Sequence, residues 1–503
     1  MEDKKHLMNW EELMCPQRAR GSYKKRSSAD LRTEFEKDYH RIISSASFRR
    51  LQDKTQVFPL DKSDFIRTRL THSLEVASFA KSLGHNISSR IIEEIKDPDF
   101  SKQTENDICS VLECAGLPHD IGNPPFGHFG ESAIQDWFKK NLPNLKYDGM
   151  PLTDLLNEQM IRDFYNFEGN TQALRVVTKL HFMVDSNGMN LTDALLSTIM
   201  KYPGSSLEIN YDKNDPDRDI ARKKMGYFYA DRATYNRVVT NCNTNGRRHP
   251  LSFVLEAADD IAYKTADIED SVKKKIFSLS TLIEELKSIS DANRISEFIG
   301  NGEKPGESDM AKLIAKLEDY YKNGLECGYE NPELYAVSNW LVRVQGFALS
   351  GATEGFISHY DEIMNGTYKK ELLSGSNAEA LMDALSDIAA RYSFVTEPIL
   401  KLEIAADTIF DFLLSRLVNA LIYFDTPLWK EKATSLDKKM VGIISPTFMQ
   451  VYRTAGEGID DSTREGMGEK LYLRLLLATD YVSGMTDGYA KRLYQELNGI
   501  GNI

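Results

Sequence analysis

The sequence predicts an all-α protein, and two observations lead to this prediction. Apolar residues recur at helical spacing in the segments 74–87, 108–115 and 254–268, as expected for helices that bury one face. Strand-like alternation bounded by hairpin dipeptides is scarce. With 503 residues, of which 41% are hydrophobic, the chain is long enough to bury a large helical core.

Loops rich in glycine, proline and polar residues separate the predicted helices. The polar loop GNGEKPGESD at 300–309 is the best candidate for a domain boundary, because turn-forming residues cluster there. We therefore predict an N-terminal arm over residues 1–31 and a core over residues 32–295. A helical C-terminal region over residues 296–503 is expected to pack on that core.

Composition disfavours several classes of protein. The net charge of −13 argues against a protein that coats nucleic acid. No apolar run approaches the ~20 residues of a membrane span, and the charged N-terminus lacks the apolar stretch of a secretion signal. A membrane partner is therefore not expected. The five cysteines include no CxxC pair, which disfavours a disulfide framework and fits a reducing cytoplasm.

A histidine–aspartate pair, His119 and Asp120, lies at the end of a predicted helix that the following GNPP stops. On its own such a dipeptide is explained equally well by two surface residues. His72 opens another predicted helix and Asp259 lies within a third. Two imidazoles and two carboxylates suit a catalytic divalent ion with open coordination positions. Because no thiolate is present, Mn²⁺ or Mg²⁺ is favoured, with Co²⁺, Fe²⁺ and Ni²⁺ as alternatives.

Helical spacing decides which of two neighbouring aspartates belongs with these histidines. Asp259, Tyr263 and Asp267 are spaced i, i+4 and i+8, so they share one face of a helix. Asp260 instead pairs at i+4 with Lys264, which indicates an ion pair on the solvent side. We therefore assign Asp259 to the metal. From spacing alone, an ordinary core tyrosine and a surface aspartate remain the simpler interpretation of Tyr263 and Asp267.

A second polar unit consists of His128 and Glu131, spaced i, i+3 at the start of a predicted helix. A carboxylate at this distance can hold an imidazole in one tautomer and raise its basicity. The unit is therefore a candidate for proton transfer. A histidine that merely caps the loop is the alternative.

Taken in order, these residues resemble the H…HD…D pattern of the HD phosphohydrolase superfamily. Longer strings are similar to the deoxyguanosine triphosphate triphosphohydrolase (dGTPase) family. The strings are RTEFEKDYHRIISSASFRRLQDKTQVFPL (32–60), RTRLTHSLEV (67–76), HDIGNPPFGHFGE (119–131), FEGNTQALRV (167–176), EAADDIAY (256–263) and SGMTDGYA (483–490). The similarity runs from about residue 32 to 270 and returns near the C-terminus, whereas residues 300–440 show no family motif.

The resemblance implies an HD-domain helical catalytic core with additional C-terminal helices. It implies a metal-dependent dNTP triphosphohydrolase that converts dGTP and water to deoxyguanosine and tripolyphosphate. The metal ligands would be His72, His119, Asp120 and Asp259. His128, oriented by Glu131, would act in proton transfer at the scissile phosphoryl group.

The resemblance also implies a set of residues that contact the substrate. Tyr263 and Asp267 would contact the sugar 3′-hydroxyl, and Gln56 and Val57 would crowd the sugar. Asn123 occupies a loop position where some relatives carry a histidine, and Gly488 stands where an arginine is associated with the motif. The residues expected to contact phosphates are Arg69, Asn123, Lys201, Tyr202 and Lys224. For the two lysines, a surface position without function is the alternative.

The expectations about oligomers and effectors rest on the resemblance alone. Relatives form symmetric homo-oligomers, often hexamers or tetramers, and some bind single-stranded DNA or nucleotide effectors. Guanine is the family default, although relatives hydrolyse several deoxynucleotides. Two other functions remain open: another HD-type nucleotide phosphohydrolase, such as a broad dNTPase or a nucleotidase, and an HD-derived regulator that binds nucleic acid.

Overall fold

The computed structural model describes residues 6–21, 30–54, 56, 67–181, 185–212, 214–215, 218–291 and 309–500. Over these residues it contains twenty-three α-helices and one antiparallel pair of short strands, β1 (Lys146–Tyr147) and β2 (Met150–Pro151). The prediction of an all-α fold is confirmed. None of the described helices has the length and apolar composition needed to cross a membrane. Val57 and the proposed boundary between residues 295 and 296 lie outside the described residues.

Twelve helices precede residue 274 and carry or flank the predicted motifs. They are α1 (Trp10–Leu13), α2 (Glu34–Ile43), α3 (Ala46–Arg49), α4 (Arg69–Arg90), α5 (Lys102–Gly116), α6 (His128–Asn141), α7 (Leu152–Leu155), α8 (Glu158–Tyr165), α9 (Gly169–Arg175), α10 (Asp193–Ile199), α11 (Arg232–Asn241) and α12 (Pro250–Lys273).

Eleven further helices follow in the described residues. They are α13 (Leu279–Asp291), α14 (Asp309–Glu326), α15 (Pro332–Ser358), α16 (Tyr360–Met364), α17 (Glu379–Ile388), α18 (Glu397–Ile422), α19 (Trp429–Lys432), α20 (Ser435–Gly442), α21 (Pro446–Gly456), α22 (Arg464–Ser483) and α23 (Asp487–Leu497). Short 3₁₀ and π segments join some of them, at Arg50–Asp53, Ile91–Ile95, Leu142–Asn144, Val176–Leu180, Ile220–Arg222, Tyr229–Asp231 and Ala389–Ser393.

Helices α4, α5 and α12 pack against one another, and the predicted motifs lie on or next to them. The start of α4 is fixed by Thr68, whose hydroxyl accepts from the Thr71 backbone N–H. Pro250 occupies the first position of α12, where its missing N–H costs nothing. Gly116 lets α5 approach α4 closely, because a Cβ there would lie 2.5 Å from Ala77 Cα.

Two apolar clusters fill the interior, and each mixes helices from both ends of the chain. The first joins α4, α5, α10 and α12 to α14, α15 and α17. The second joins α6 and α8 to α18, α22 and α23. The C-terminal helices therefore pack directly on the helices that carry the predicted motifs.

A buried ionic network ties α9 to α22. The Arg175 guanidinium donates from Nε and Nη2 to the two carboxylate oxygens of Asp480, each at 2.8 Å, and its Nη1 lies 3.2 Å from Asp231. Gln172 also donates to Asp480, at 3.0 Å. All four side chains are almost fully buried, so losing one charge leaves the others without compensation in a medium of low dielectric constant.

We predict that Asp480→Asn lowers the free energy of unfolding by about 3 kcal/mol, because Arg175 then keeps a buried charge with a weakened partner. Asp461→Asn is the matched control. It removes a half-exposed carboxylate 3.1 Å from Lys470 and should change stability by less than about 1 kcal/mol. Denaturant unfolding of both variants measures the difference, and equal small losses would contradict the structural role of the network.

Candidate metal centre

Three potential metal ligands converge from three helical segments. His72 lies on α4, His119 follows the end of α5, and Asp259 lies on α12. The His72 and His119 Nε2 atoms lie 3.2 Å and 3.4 Å from Asp259 Oδ1, and the three donor atoms lie within 4.8 Å of one another. Both imidazoles are buried. The structure thus brings together residues separated by up to 187 positions in the sequence.

The orientation of His119 suits a cation ligand. Its Nδ1 hydrogen-bonds the Gly116 carbonyl oxygen at 2.7 Å, which places the proton on Nδ1 and the lone pair on Nε2. Within the described part of the chain, this Nε2 is buried without a hydrogen-bond partner. An unsatisfied buried polar atom costs about 1–3 kcal/mol, and a cation between the three donors would satisfy it.

Asp120 lies beside this cluster. Its Oδ1 is 3.7 Å from His119 Nε2 and accepts from Asn123 Nδ2 at 2.6 Å. Its Oδ2 accepts from Arg69 Nη1 at 2.5 Å. Of the four ligands predicted from the sequence, three share the tight cluster and the fourth is held next to it by Arg69 and Asn123.

Charges around the cluster keep both aspartates ionised. Burial opposes ionisation of Asp259, but Lys201 and His119 hold its pKa well below its usual range. Burial likewise opposes ionisation of Asp120, whose pKa Arg69 and His119 lower. Lys201 Nζ donates to Asp259 Oδ2 at 2.7 Å. Two ionised carboxylates next to two imidazoles form the donor set that a divalent cation requires.

His128 opens α6, and Glu131 holds its ring. The Nδ1 atom lies 2.9 Å from Glu131 Oε2, and Glu131 Oε1 accepts from the Gly169 backbone N–H at 2.7 Å. The His128 side chain remains 80% exposed, whereas Glu131 is buried. The hydrogen bond and the charge of Glu131 raise the pKa of His128. The imidazole is thus oriented by a fixed carboxylate and open to solvent.

Arg69 connects the two units. It runs from the start of α4 past Gly127, the residue before α6, to Asp120. A Cβ on Gly127 would lie 2.5 Å from Arg69 Nη2, and the backbone there has a φ of +60°. A side chain at position 127 would therefore be strained and would displace the guanidinium.

The two predicted phosphate-binding lysines also pair with carboxylates. Lys224 Nζ donates to Glu168 Oε1 at 2.6 Å, and Glu168 in turn caps the N-terminus of α9. Lys224 acts electrostatically on both His128 and Glu131, which places it on the His128 side of the site. Tyr202, next to Lys201, is buried. Lys201 therefore lies at the metal cluster, and Lys224 lies near the proposed proton-transfer pair.

Asp259, Tyr263 and Asp267 lie on α12 as predicted, but the expected position of the Asp260–Lys264 pair needs correction. Asp267 is buried, its Oδ1 has no described hydrogen-bond partner, and burial together with Asp270 raises its pKa to about 8. Tyr263 is partly buried. The Asp260–Lys264 pair exists at 3.3 Å, but the two side chains are only 17% and 9% exposed. The expectation of a solvent-side pair is therefore wrong, because the surrounding structure covers most of both side chains.

Sequence reasoning missed residues that hold the loop between His119 and His128. The buried Lys54 donates to the Asn123 carbonyl oxygen, and Asp487 Oδ1 accepts from the Phe126 backbone N–H at 2.9 Å. Gly169 lies so close to this loop that a Cβ would be 2.0 Å from Asn123 Oδ1. Lys54, Gly169 and Asp487 all fall in or next to strings similar to the dGTPase family, which was the available signal. Gln56, in contrast, is partly buried, and its Oε1 has no hydrogen-bond partner among the described residues.

The sequence of this chain is similar to one protein-family model and to several known proteins. Residues 69–197 match the HD domain family. A deoxyguanosinetriphosphate triphosphohydrolase-like protein of Listeria innocua is 44% identical over 98% of this chain and 100% of its own length. A protein of the same description from Synechocystis sp. is 30% identical over 98% and 100%. The deoxyguanosinetriphosphate triphosphohydrolase of Enterobacter sp. is 30% identical over 99% of each chain.

We predict that Glu131→Gln lowers the pKa of His128, because that carboxylate raises it above 6.5. Lys224→Met should shift the same pKa upward, since the Lys224 ammonium disfavours a second cation nearby. NMR titration of the His128 ring proton, assigned with His128→Ala, measures both shifts. An unchanged pKa in Glu131→Gln would show that the two side chains do not interact in solution.

Proposed function

This chain belongs to the deoxyguanosinetriphosphate triphosphohydrolase family, and we propose that it is a metal-dependent dNTP triphosphohydrolase that converts dGTP and water to deoxyguanosine and tripolyphosphate. The observation that carries the proposal is the convergence of His72, His119 and Asp259 on one point. The His128–Glu131 pair is linked to that point through Arg69 and Asp120. A metal site with a proton donor nearby is the least that metal-dependent hydrolysis of a phosphate ester requires.

His72, His119, Asp120 and Asp259 would hold the divalent ion. The unpartnered Nε2 of His119 and the two ionised carboxylates support this assignment. Mn²⁺ or Mg²⁺ fits mixed imidazole and carboxylate donors, and Co²⁺, Fe²⁺ and Ni²⁺ are alternatives. When bound, such an ion polarises a phosphoryl oxygen and lowers the pKa of a coordinated water toward ~7.

His128 would supply the proton that the leaving group needs. In the proposed reaction the oxygen of water bonds to the α-phosphorus and the water releases one proton to the solvent, while the bond to the 5′-oxygen of the nucleoside breaks. The departing oxygen accepts a proton from the His128 imidazolium, and Glu131 stabilises that charged form. The exposure of His128 supports this role, because the imidazole must reach the substrate.

Arg69, Asn123, Lys201, Tyr202 and Lys224 would bind the phosphates. A triphosphate carries about four negative charges and needs several cations. Arg69 has a buried Nε–H without a described partner, and the described hydrogen bonds of the Lys201 ammonium use one of its three donors. Both side chains therefore keep donors for phosphate oxygens while they remain next to the metal cluster.

Tyr263 and Asp267 would recognise the sugar 3′-hydroxyl. They follow Asp259 along one face of α12, and the Asp267 Oδ1, which has no hydrogen-bond partner among the described residues, supports a role in binding substrate. With a pKa raised to about 8, this carboxyl is mostly neutral at pH 7 and can donate as well as accept. Gln56, with its unpartnered Oε1, and Val57 would crowd C2′ and exclude the hydroxyl of a ribonucleotide.

The remaining parts of the proposal follow from family membership. They are a cytoplasmic homo-oligomer, hexameric or tetrameric, with nucleotides or single-stranded DNA as possible effectors. Product analysis distinguishes the proposed activity from that of a different HD-type nucleotide phosphohydrolase. Tripolyphosphate supports the proposal, whereas orthophosphate indicates a nucleotidase.

We predict that the protein, supplied with Mn²⁺, hydrolyses dGTP to deoxyguanosine and tripolyphosphate and leaves GTP intact. Chromatography of the products from the four dNTPs and GTP provides the measurement. Asp259→Asn should abolish both Mn²⁺ binding and turnover, because it removes a charged ligand. His128→Ala should keep Mn²⁺ binding and lose roughly 10²–10⁴-fold in kcat, the usual contribution of a general acid.

The neighbouring substitution Asp260→Asn is the matched control, since that carboxylate pairs with Lys264 instead. It should retain both Mn²⁺ affinity and turnover. Loss of metal in His128→Ala would refute the division of roles. Full activity of Asp259→Asn would refute the ligand assignment.

A further inference from the structure

A small cavity of about 140 Å³ lies behind the loop that carries His119 and Asp120. It is bounded by α3 and the segment that follows it, by the π segment after α9, by the start of α21 and by Gly484, which follows α22. Ile121, Val176, Leu180 and Phe448 form its apolar walls. The polar residues that line it are Ser47, Arg50, Lys54, His181, Ser445 and Thr447.

The described residues of the lining include three basic side chains and no acidic one. Arg50 Nη1 donates to the Gly484 carbonyl oxygen at 3.2 Å, and Lys54 Nζ donates to the carbonyl oxygens of Asn123 and Ser483. These acceptors are neutral. Among the described residues, no carboxylate lies within ion-pair distance of Arg50, Lys54 or His181.

Burial lowers the pKa of two of these side chains, and neighbouring arginines contribute to the decrease. Burial lowers the pKa of Lys54 to about 7, against the pull of Asp487, and Arg69 and Arg50 add to the decrease. Burial also lowers the pKa of His181, and Arg50 contributes. Asp487, the carboxylate that acts on Lys54, also accepts a hydrogen bond from the Phe126 backbone N–H and is not among the described residues that line the cavity.

The start of α21 adds further donors. The helix has eleven residues and begins at Pro446, and the Ser445 side chain makes no capping hydrogen bond. The first backbone N–H groups of a helix have no acceptor within it, and they carry the positive end of the helix dipole. Thr447 and Phe448, at this end, line the cavity. Oxyanions bind at such helix ends.

We propose that this cavity is a phosphate-binding site, separate from the candidate metal centre and independent of the proposed function. Its ligand is a single phosphate group, held by Arg50, Lys54 and the N-terminus of α21. The volume is below the roughly 300–1,000 Å³ of pockets that enclose whole small-molecule ligands, so a complete nucleotide is excluded. Lys54 also contacts the Asn123 carbonyl oxygen, so the site adjoins the loop next to Asp120.

Two pairs of variants test the site, with the melting temperature as the readout of inorganic phosphate binding. Arg50→Gln removes a lining cation, whereas Arg49→Gln removes a neighbouring cation that bonds the Ser44 carbonyl oxygen instead. Thr447→Glu places a negative charge at the cavity, and Gln450→Glu places one elsewhere on the exposed surface of α21. All four residues are exposed, so the variants should fold.

Phosphate, compared with chloride at equal ionic strength, should raise the melting temperature of the unmodified protein, Arg49→Gln and Gln450→Glu alike. Arg50→Gln and Thr447→Glu should weaken binding roughly tenfold or more, as expected for the loss of a charged hydrogen bond. If Arg50→Gln and Arg49→Gln weakened phosphate binding equally, and Thr447→Glu and Gln450→Glu did so too, the effect would come from general surface charge. That result would overturn the proposal. Unchanged affinity in Arg50→Gln would place the phosphate elsewhere and overturn it as well.

A parallel titration with tripolyphosphate identifies the source of the phosphate group. If Arg50→Gln weakens tripolyphosphate and inorganic phosphate equally, the cavity accepts the terminal phosphate of a longer chain. If it weakens inorganic phosphate alone, the cavity accepts only the free ion. Either result supports the site. Binding of both ligands that is insensitive to Arg50→Gln and Thr447→Glu contradicts it.

Discussion

The site depends on one contact, the approach of two buried histidine nitrogens to Asp259 Oδ1 at 3.2 Å and 3.4 Å. Three helices must pack closely to create it. Gly116 permits this, because any side chain there would collide with the backbone of α4. A buried nitrogen without a partner is unfavourable, so this arrangement makes physical sense as a binding site for a cation.

Around this contact the charged groups occur as neighbouring opposite pairs. The hydrogen-bonded pairs are Arg69 with Asp120, Lys201 with Asp259, Lys224 with Glu168, and His128 with Glu131. For the members of these pairs that are buried, such as Arg69, Lys201, Glu131 and Glu168, pairing offsets the cost of desolvating a charge. It also places positive and negative charge side by side, which is the requirement for binding both a metal cation and a polyanionic nucleotide. The same buried pairing recurs in the Arg175–Asp480 network, where it holds the C-terminal helices against this core.

Local signals in the sequence predicted where several residues of the candidate site lie in the fold. Helical spacing placed His72 on α4 and the Asp259 face on α12, and the GNPP stop placed His119 and Asp120 at a helix end. Contacts between distant residues could not be predicted. Lys54 reaches the carbonyl oxygens of Asn123 and Ser483, 69 and 429 positions away, and no periodicity encodes such a pairing. The burial of the Asp260–Lys264 pair was missed for the same reason, because spacing along one helix does not show what packs against it.

Anomalous diffraction at the manganese edge, from crystals of the protein grown with Mn²⁺, tests the central claim most directly. The account predicts one strong peak within coordination distance of His72 Nε2, His119 Nε2 and an Asp259 carboxylate oxygen, with Asp120 adjoining it. A peak bound elsewhere, or an empty cluster in protein that hydrolyses dGTP, would contradict the account.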